Sequence, residues 1–358
     1  MTSNTLRATM PGVFLPGDST AVLRQYDVPT PGPGQVLVEV GASGICGSDI
    51  GYIYRGYKGY RGIDGPAYQG VVAGHEPSGT IVAAGDGVSR FGVGDRVLLY
   101  HIVGCGLCDN CRRGFYVSCT GHRASYGWQR DGGHAPLLLA EERTCIPLPD
   151  ELSFLDGALI ACGFGTAYEG LRRTRLSGDH DLLVVGLGPV GLAAGMIGRG
   201  MGAGKVIGIE PAAARREWAD QLGVFDATLP ADDAALPTLQ ELTGGVGAGV
   251  TIDCSGSQPG RSLALEGAAE WGNVSLVGEG GELRTEVSDT LLHKQLTIHT
   301  SWVTSLGAMS ELATNLVRWG LRPERAVSDV FPLSRAAEAY ALAAGASRGK
   351  VCLIPDEA

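Results

Sequence analysis

At 358 residues the chain is too long for one ordinary core, so two domains are expected. Hydrophobic residues make up 44%, enough to bury a full core, while the formal net charge of −10 disfavours a phosphate-backbone binder and sets nucleic acid aside. The 56 glycines are dispersed, which points to tight turns and close backbone approaches and not to a low-complexity tract.

The opening residues, MTSNTLRATMPG, lack the apolar run of a secretory signal. The one long apolar window, residues 182–198, is cut by five Gly and a Pro and follows a polar run, so no membrane span is expected. These features read as a soluble, cytoplasmic protein. Residues 1–45 alternate short apolar runs with Pro and Gly, and 35–40 (QVLVEV) has the period of a strand behind the breaker cluster PTPGPG. The chain thus opens all-β. Next comes GICGSD (44–49), which puts Cys46 in a Gly-flanked turn beside Ser48 and Asp49. Loop 52–70 carries five Tyr. His75 and Glu76 then follow Gly74, and strands are expected over 79–84 and 95–100 around a double turn.

Residues 104–119 (GCGLCDNCRRGFYVSC) hold Cys105, Cys108, Cys111 and Cys119 with gaps of two, two and seven residues. Four thiolates so spaced can converge on one tetrahedral Zn²⁺, a closed site with no position for substrate. Two disulfides, four unrelated thiols or a Cys₄ iron–sulfur cluster are the alternatives. Disulfides fit poorly with a reducing compartment and an odd total of nine Cys. A further strand is expected over 136–140.

The texture changes near residue 153. Residues 153–172 have helical spacing and carry Cys162. LLVVGL (182–187) is a continuous apolar run, as in a strand covered on both faces. Gly186-Leu187-Gly188-Pro189-Val190-Gly191 follows at once, opening a small-residue helix to about residue 200. Strands over 205–210, 249–254 and 273–277 alternate with helices over 212–222 and 260–271, the pattern of a parallel sheet wrapped by helices. Helices near 309–319 and 334–344 and a strand over 350–354 close the chain. A G-x-G-x-x-G between a strand and a helix lets a pyrophosphate approach the helix N-terminus. Glu210 ends the next strand, where its carboxylate suits the ribose hydroxyls of NAD and repels the 2′-phosphate of NADP. Arg215 and Arg216 pull the other way unless they form a solvated helix face.

Outside the lobe, Cys46, Cys145, Cys162, Cys254 and Cys352 remain. A catalytic Zn²⁺ needs three protein ligands and one open position. Cys46 and His75 supply two, with Cys162 and Glu76 as candidates for the third. Read from the residues alone, buried apolar thiols, a core histidine and a buried ion pair account for them equally well.

Together these residues resemble the zinc-dependent medium-chain dehydrogenase/reductase superfamily, which includes alcohol, polyol and threonine dehydrogenases. GICGSD (44–49), GHE (74–76), the four-Cys lobe, ACGFGTAY (161–168), GLGPVG (186–191) and Glu210 run in that family's order over nearly the whole chain. The resemblance implies an α/β fold, a Rossmann doubly wound parallel sheet inserted in a β-rich, GroES-like catalytic domain. Residues 1–163 and 300–358 would form the catalytic domain and 164–299 the NAD-binding one. It implies two Zn²⁺ per chain. The catalytic ion would be held by Cys46, His75 and Cys162, with Glu76 as a near or alternating ligand and Asp49 orienting the histidine. The lobe would hold the structural ion. The implied reaction is hydride transfer between a small-molecule alcohol or ketone and NAD, with Ser48 Oγ taking the hydroxyl proton and passing it outward. Ser255 and Gly256, next to Cys254, would line the nicotinamide side. In one departure, Gly51 stands where the family often has a relay histidine. Tyr52 and Tyr54 are candidate substitutes, though loop packing is the preferred reading of both. Cys145 and Cys352 read as core thiols.

Loop 52–70, with Tyr100, Tyr126, Trp128 and Trp302 expected at the cleft, favours a polyol, sugar or cyclitol alcohol. Threonine and simple alcohols are the alternatives, and a non-catalytic zinc protein of the same fold a remote one. The short stretch from Cys119 to Cys162 resembles the shorter bacterial and polyol members, so a homotetramer is expected, with a dimer as the alternative.

Overall fold

The strand Gln35–Ile45 organises the β-rich part of the chain. The structure, a computed structural model, describes residues 8–60, 63–345 and 347–356. Val36, Val38 and Val40 are buried together on one face; on the other Leu37 is buried and Glu39 exposed, so the strand alternates only in part. The strand runs past Val40 through Gly41-Ala42-Ser43-Gly44, which looks too small to be a strand. Its neighbours explain this. A Cβ on Gly41 would lie 2.3 Å from Phe154 Cδ2, and one on Gly44 would meet Glu76 and Lys350. Small residues are therefore what this end of the strand requires.

Gln35–Ile45 pairs antiparallel with Glu76–Ala84 on one side and with Lys350–Ile354 on the other. Leu137–Glu141 also pairs with it, and Arg96–Leu99, Cys145–Pro147 and Val327–Pro332 complete a seven-stranded sheet. The last strand of the chain thus returns to one of the first. By contact density one unit runs to Cys162 and takes up Ser305–Val317 and the chain from Val327 on. The other comprises Gly163–Thr304 and Arg318–Ala326.

In the second unit, six parallel strands stand in the order Ala227–Leu229, Val206–Ile209, Leu182–Val185, Ala248–Asp253, Ala268–Leu276, Thr297–Thr300. Counted along the chain this is 3-2-1-4-5-6, the doubly wound order of the Rossmann fold. The apolar run at 182–187 is a strand only to Val185, and residues from Gly186 form the turn. The helix expected over 260–271 is instead Gln258–Glu266, and the strand expected over 273–277 is Ala268–Leu276. Ser257 starts this helix early by accepting from Gly260 N at 3.1 Å. Ala268 is already paired with Ala248 ahead of a bulge that leaves Trp271 69% exposed. The edge strands Ala227–Leu229 and Thr297–Thr300 are exposed or half-exposed over most of their length and lack the continuous apolar run that marks the inner strands.

The helical run expected over 153–172 is Phe154–Leu159, a π-helical turn Ile160–Phe164, and Gly165–Arg173. Ser153 and Asp156 cap its start reciprocally, and Cys162 sits on the wide turn, a device common at functional sites. Among the described residues no helix is long and apolar enough to cross a membrane.

Candidate functional site

The first unit brings Cys46, His75, Glu76 and Cys162 together, with one ligand atom from each within 4.8 Å of the others. They arrive on three separate pieces of backbone. Cys46 follows the end of Gln35–Ile45, His75 and Glu76 lie at the start of the neighbouring strand, and Cys162 is on the π-turn. His75 is 3% exposed and Glu76 fully buried.

Asp49 is the support for this cluster. It is fully buried, and its Oδ1 lies 2.7 Å from His75 Nδ1. The same oxygen accepts from Trp128 Nε1 at 3.0 Å, and Oδ2 accepts from Cys46 N at 3.0 Å. With Nδ1 held by a carboxylate, Nε2 is the ring nitrogen left to face the cluster, the arrangement common to metal-binding imidazoles. Burial works against both charges of this pair. Their attraction prevails, holding the Asp49 carboxyl below and the His75 imidazole above their ordinary ranges.

The two sulfurs act on each other in opposite directions. The hydrogen bond from Cys162, helped by His75, pulls the Cys46 thiol far down, and Cys162 goes far up in consequence. Burial raises Glu76 to about 7 against the pull of Lys350, whose Nζ is in ion-pair contact with Glu76 Oε2. Glu76 Oε1 is buried with no hydrogen-bond partner. Two sulfurs, an imidazole nitrogen and an orphaned carboxylate oxygen are the donor set of a Zn²⁺ site, so these residues fit the metal.

The surroundings include groups the sequence did not single out. Lys350 opens the last strand and fills the space left by Gly44, its Cε 2.7 Å from where a Cβ would be. His101 stands with its ring centroid 5.1 Å from that of His75 and its Nδ1 2.8 Å from Ala161 O. Burial lowers His101 to about 4, so it is neutral. His134 is fully buried between Gly44 O and Tyr340 Oη, and is likewise lowered to about 4 by burial. Of these, Lys350 carries a sequence signal, a charge at the head of an otherwise apolar strand. Ser48 lies half-buried in the short helical turn Gly47–Asp49.

Three of the four aromatic residues expected at a substrate cleft are buried. Tyr100 and Tyr126 are fully buried and Trp128 is 4% exposed. Tyr126 Oη bonds Thr144 Oγ1 and Glu141 N, and the Trp128 indole is engaged with Asp49. Trp302 is half-buried. In loop 52–70, Tyr54 stacks on Tyr340 and Tyr57 donates to Leu15 O at 2.6 Å. Tyr68 donates to Val71 O and is 3% exposed. The loop's aromatic content mostly serves packing, and so does Tyr54, a candidate relay group. Residues 61 and 62 of that loop lie outside the described residues. Cys145 and Cys352 are buried core thiols.

The lobe gathers Cys105, Cys108, Cys111 and Cys119 within the same 4.8 Å limit. All nine cysteines are free, and Cys108 Sγ lies 4.0 Å from Cys119 Sγ, too far for a disulfide bond. Backbone amides face the sulfurs: Cys105 N is 3.3 Å from Cys119 Sγ and Cys108 N is 3.4 Å from Cys105 Sγ. Amide donors, that of Cys111 first, lower Cys108 to about 5. Four sulfurs so supported fit a structural Zn²⁺.

The second unit holds a cleft of about 660 Å³ at the C-terminal ends of its strands, lined by Gly186, Gly188, Glu210, Arg215, Cys254 and Ser255 among others. The glycine turn is sterically required. Gly186 has φ +87°, and a Cβ on Gly191 would lie 1.8 Å from Gly186 O. Leu187, Pro189 and Val190 complete the turn and the first residues of helix Pro189–Gly200. Glu210 is 4% exposed and braces this turn, accepting from Leu187 N at 2.8 Å and from Ala212 N at 3.0 Å. Arg215 Nη1 is 3.9 Å from Glu210 Oε2, while Arg216 is committed to the carbonyls of Glu210 and Pro211. Ser255 lines the cleft; Gly256, expected beside it, lies behind against Glu279 O.

Residues 32–150 match the alcohol dehydrogenase GroES-like domain and 189–319 the zinc-binding dehydrogenase family. The chain is 52% identical to an uncharacterized zinc-type alcohol dehydrogenase-like protein of Escherichia coli, over 97% of this chain and 99% of that one. It is 32% identical to a probable D-xylulose reductase A of Aspergillus fumigatus, over 80% of each. Among solved structures, a zinc-binding dehydrogenase of Sinorhizobium meliloti bound to NADP superposes with a TM-score of 0.84 at 26% identity, over 98% of this chain and 100% of that one. The chain therefore belongs to the zinc-dependent medium-chain dehydrogenase/reductase superfamily. It is an oxidoreductase of the zinc alcohol dehydrogenase family, built on GroES-like and Rossmann folds.

Proposed function

We propose that this protein transfers hydride between a secondary alcohol of polyol or sugar type and NAD. The observation that carries the reading is the buried meeting of Cys46, His75, Glu76 and Cys162, with one carboxylate oxygen unsatisfied. Cys46, His75 and Cys162 would hold a catalytic Zn²⁺, with Glu76 as a further candidate ligand, and the four lobe sulfurs would hold a second ion. The metal, when bound, supplies Lewis acidity at the alcohol oxygen, and the nicotinamide supplies the hydride acceptor. Asp49 keeps His75 in the ligating tautomer. Ser48, half-buried in the same turn, accepts the hydroxyl proton and passes it outward.

Glu210 and its bracing role support NAD, because a buried carboxylate at that point repels a 2′-phosphate. Arg215 is partly neutralised by the same carboxylate. The xylulose reductase relative supports a polyol substrate. Threonine would need a carboxylate clamp, and the cationic group beside the cluster, Lys350, is already engaged by Glu76.

The test is a panel of polyols, sugars and amino-alcohols assayed with NAD and with NADP, alongside metal analysis. About two zinc ions per chain, one removed more readily by chelator, and polyol-dependent NADH formation lost on removal are expected. A clear NADP preference, or turnover confined to threonine, rejects the corresponding part. Light scattering checks the proposed homotetramer.

A further inference from the structure

Arg261 breaks a local rule. It stands near the start of helix Gln258–Glu266, where a cation opposes the helix dipole, yet it is only 8% exposed. Residues that break such rules are commonly held for function. Its guanidinium is spent on backbone. Nη2 donates to Gly278 O at 2.9 Å and to Gly280 O at 2.5 Å, and Nε lies 3.5 Å from Asp253 Oδ2.

Asp253 is fully buried and serves the other side of the clamp. Its Oδ1 accepts from Ser255 N at 2.9 Å and Ser255 Oγ at 2.6 Å, and its Oδ2 from Gly256 N at 3.3 Å. Arg261 and Asp253 therefore join loop 254–257 to loop 278–281. The loops meet backbone to backbone. A Cβ on Gly256 would lie 2.3 Å from Glu279 O, and one on Gly278 would lie 2.1 Å from Gly256 N. Ser255 in turn rests against Gly186 and lines the cleft.

The strand order says which half of the cleft this serves. Glu210 and Arg215 follow strand Val206–Ile209, on one side of the glycine turn. Strands Ala248–Asp253 and Ala268–Leu276, which end in the two clamped loops, lie on the other side of the switch point. A dinucleotide crosses that point, with its adenosine on the acidic side and its second nucleotide opposite.

We propose that Arg261 is a positioning residue: by tying loop 278–281 to Ser255–Gly256 it sets the wall for the nicotinamide half of the cofactor and leaves the adenosine half alone. The inference rests on the dinucleotide reading above.

Wild type, Arg261→Met and Arg261→Lys, each as the full chain, are titrated with NADH by fluorescence and with ADP-ribose by calorimetry, and their melting temperatures recorded. Lysine keeps the charge beside Asp253 but lacks the planar fork. Arg261→Met is expected to weaken NADH on the order of tenfold while ADP-ribose stays within about twofold, with Arg261→Lys intermediate. Parallel weakening of both ligands, or an unchanged ratio in a folded variant, overturns the proposal. If Arg261→Met does not fold, the ratio in Arg261→Lys decides. Failure of wild type to bind either ligand overturns the dinucleotide reading itself and the inference with it.

Discussion

The two cysteine clusters of the first unit are built on opposite principles. The lobe draws four sulfurs from a single stretch, residues 105–119, leaves three of the four half-exposed, and supports them with its own backbone amides. The other cluster draws its donors from positions 46, 75, 76 and 162, mixes sulfur, nitrogen and oxygen, and supports them with buried side chains. A closed, local set of like donors holds a fold together. A mixed set with an unsatisfied oxygen, assembled only when the sheet has formed, leaves room for chemistry.

Cutting each cluster in turn is the strongest way to break that contrast. Cys46→Ala is expected to lower kcat/KM by about a thousandfold or more and remove one metal, with a small change in melting temperature. Cys111→Ala is expected to cost about 4 kcal/mol or more of stability, the scale of losing a structural metal. Equal thermal loss in both variants would erase the distinction. Next in size, Lys350→Met leaves Glu76 buried without its counter-charge and is expected to cost about 3 kcal/mol in denaturant unfolding. Asp49→Asn should weaken metal at the buried cluster by roughly 10- to 100-fold, read by chelator competition, and leave the lobe unaffected.

The smallest effect concerns pH. His134, buried behind Gly44, titrates near 4 in the fold and near 6.5 when unfolded. Its folded pKa is the lower one, so the unfolded chain binds the extra proton first. The contribution is complete above 6.5 and drains as pH falls toward 4. Between pH 7 and pH 5 this site should cost about 2 kcal/mol, and His134→Gln should flatten that limb of the stability curve. An unchanged acid limb in the variant would remove His134 from the account.

What could be read in advance follows the same divide. The lobe, the glycine turn and Glu210 are local: spacing brings the lobe sulfurs together, and a strand followed by Gly186 and Gly191 dictates the turn. Cys46, His75, Cys162 and Glu76 are candidates from residue type alone, equally well read as core groups, and only the resemblance tips that balance, because no spacing links positions so far apart. Lys350, His101 and Trp128 were missed or misplaced for a related reason. Lys350 reaches Glu76 because both of their strands flank Gln35–Ile45, a pairing between the two ends of the chain. Trp128 and Tyr126 read as cleft residues because aromatic side chains serve cores and ligands equally well, and only burial separates the two. Gly41–Gly44 masked the end of a strand because the demand for small side chains comes from Phe154, Glu76 and Lys350, not from neighbours in sequence.

Glu210 has a consequence for anyone wishing to retarget this scaffold. Both of its oxygens already hold main-chain amides, one of them in the glycine turn. Exchanging it for a small neutral residue would make room for an extra phosphoryl group and, in the same stroke, let the turn sag. If Glu210 sets coenzyme preference as proposed, preference and loop shape are tied together, and a switch must install a new brace along with the new pocket.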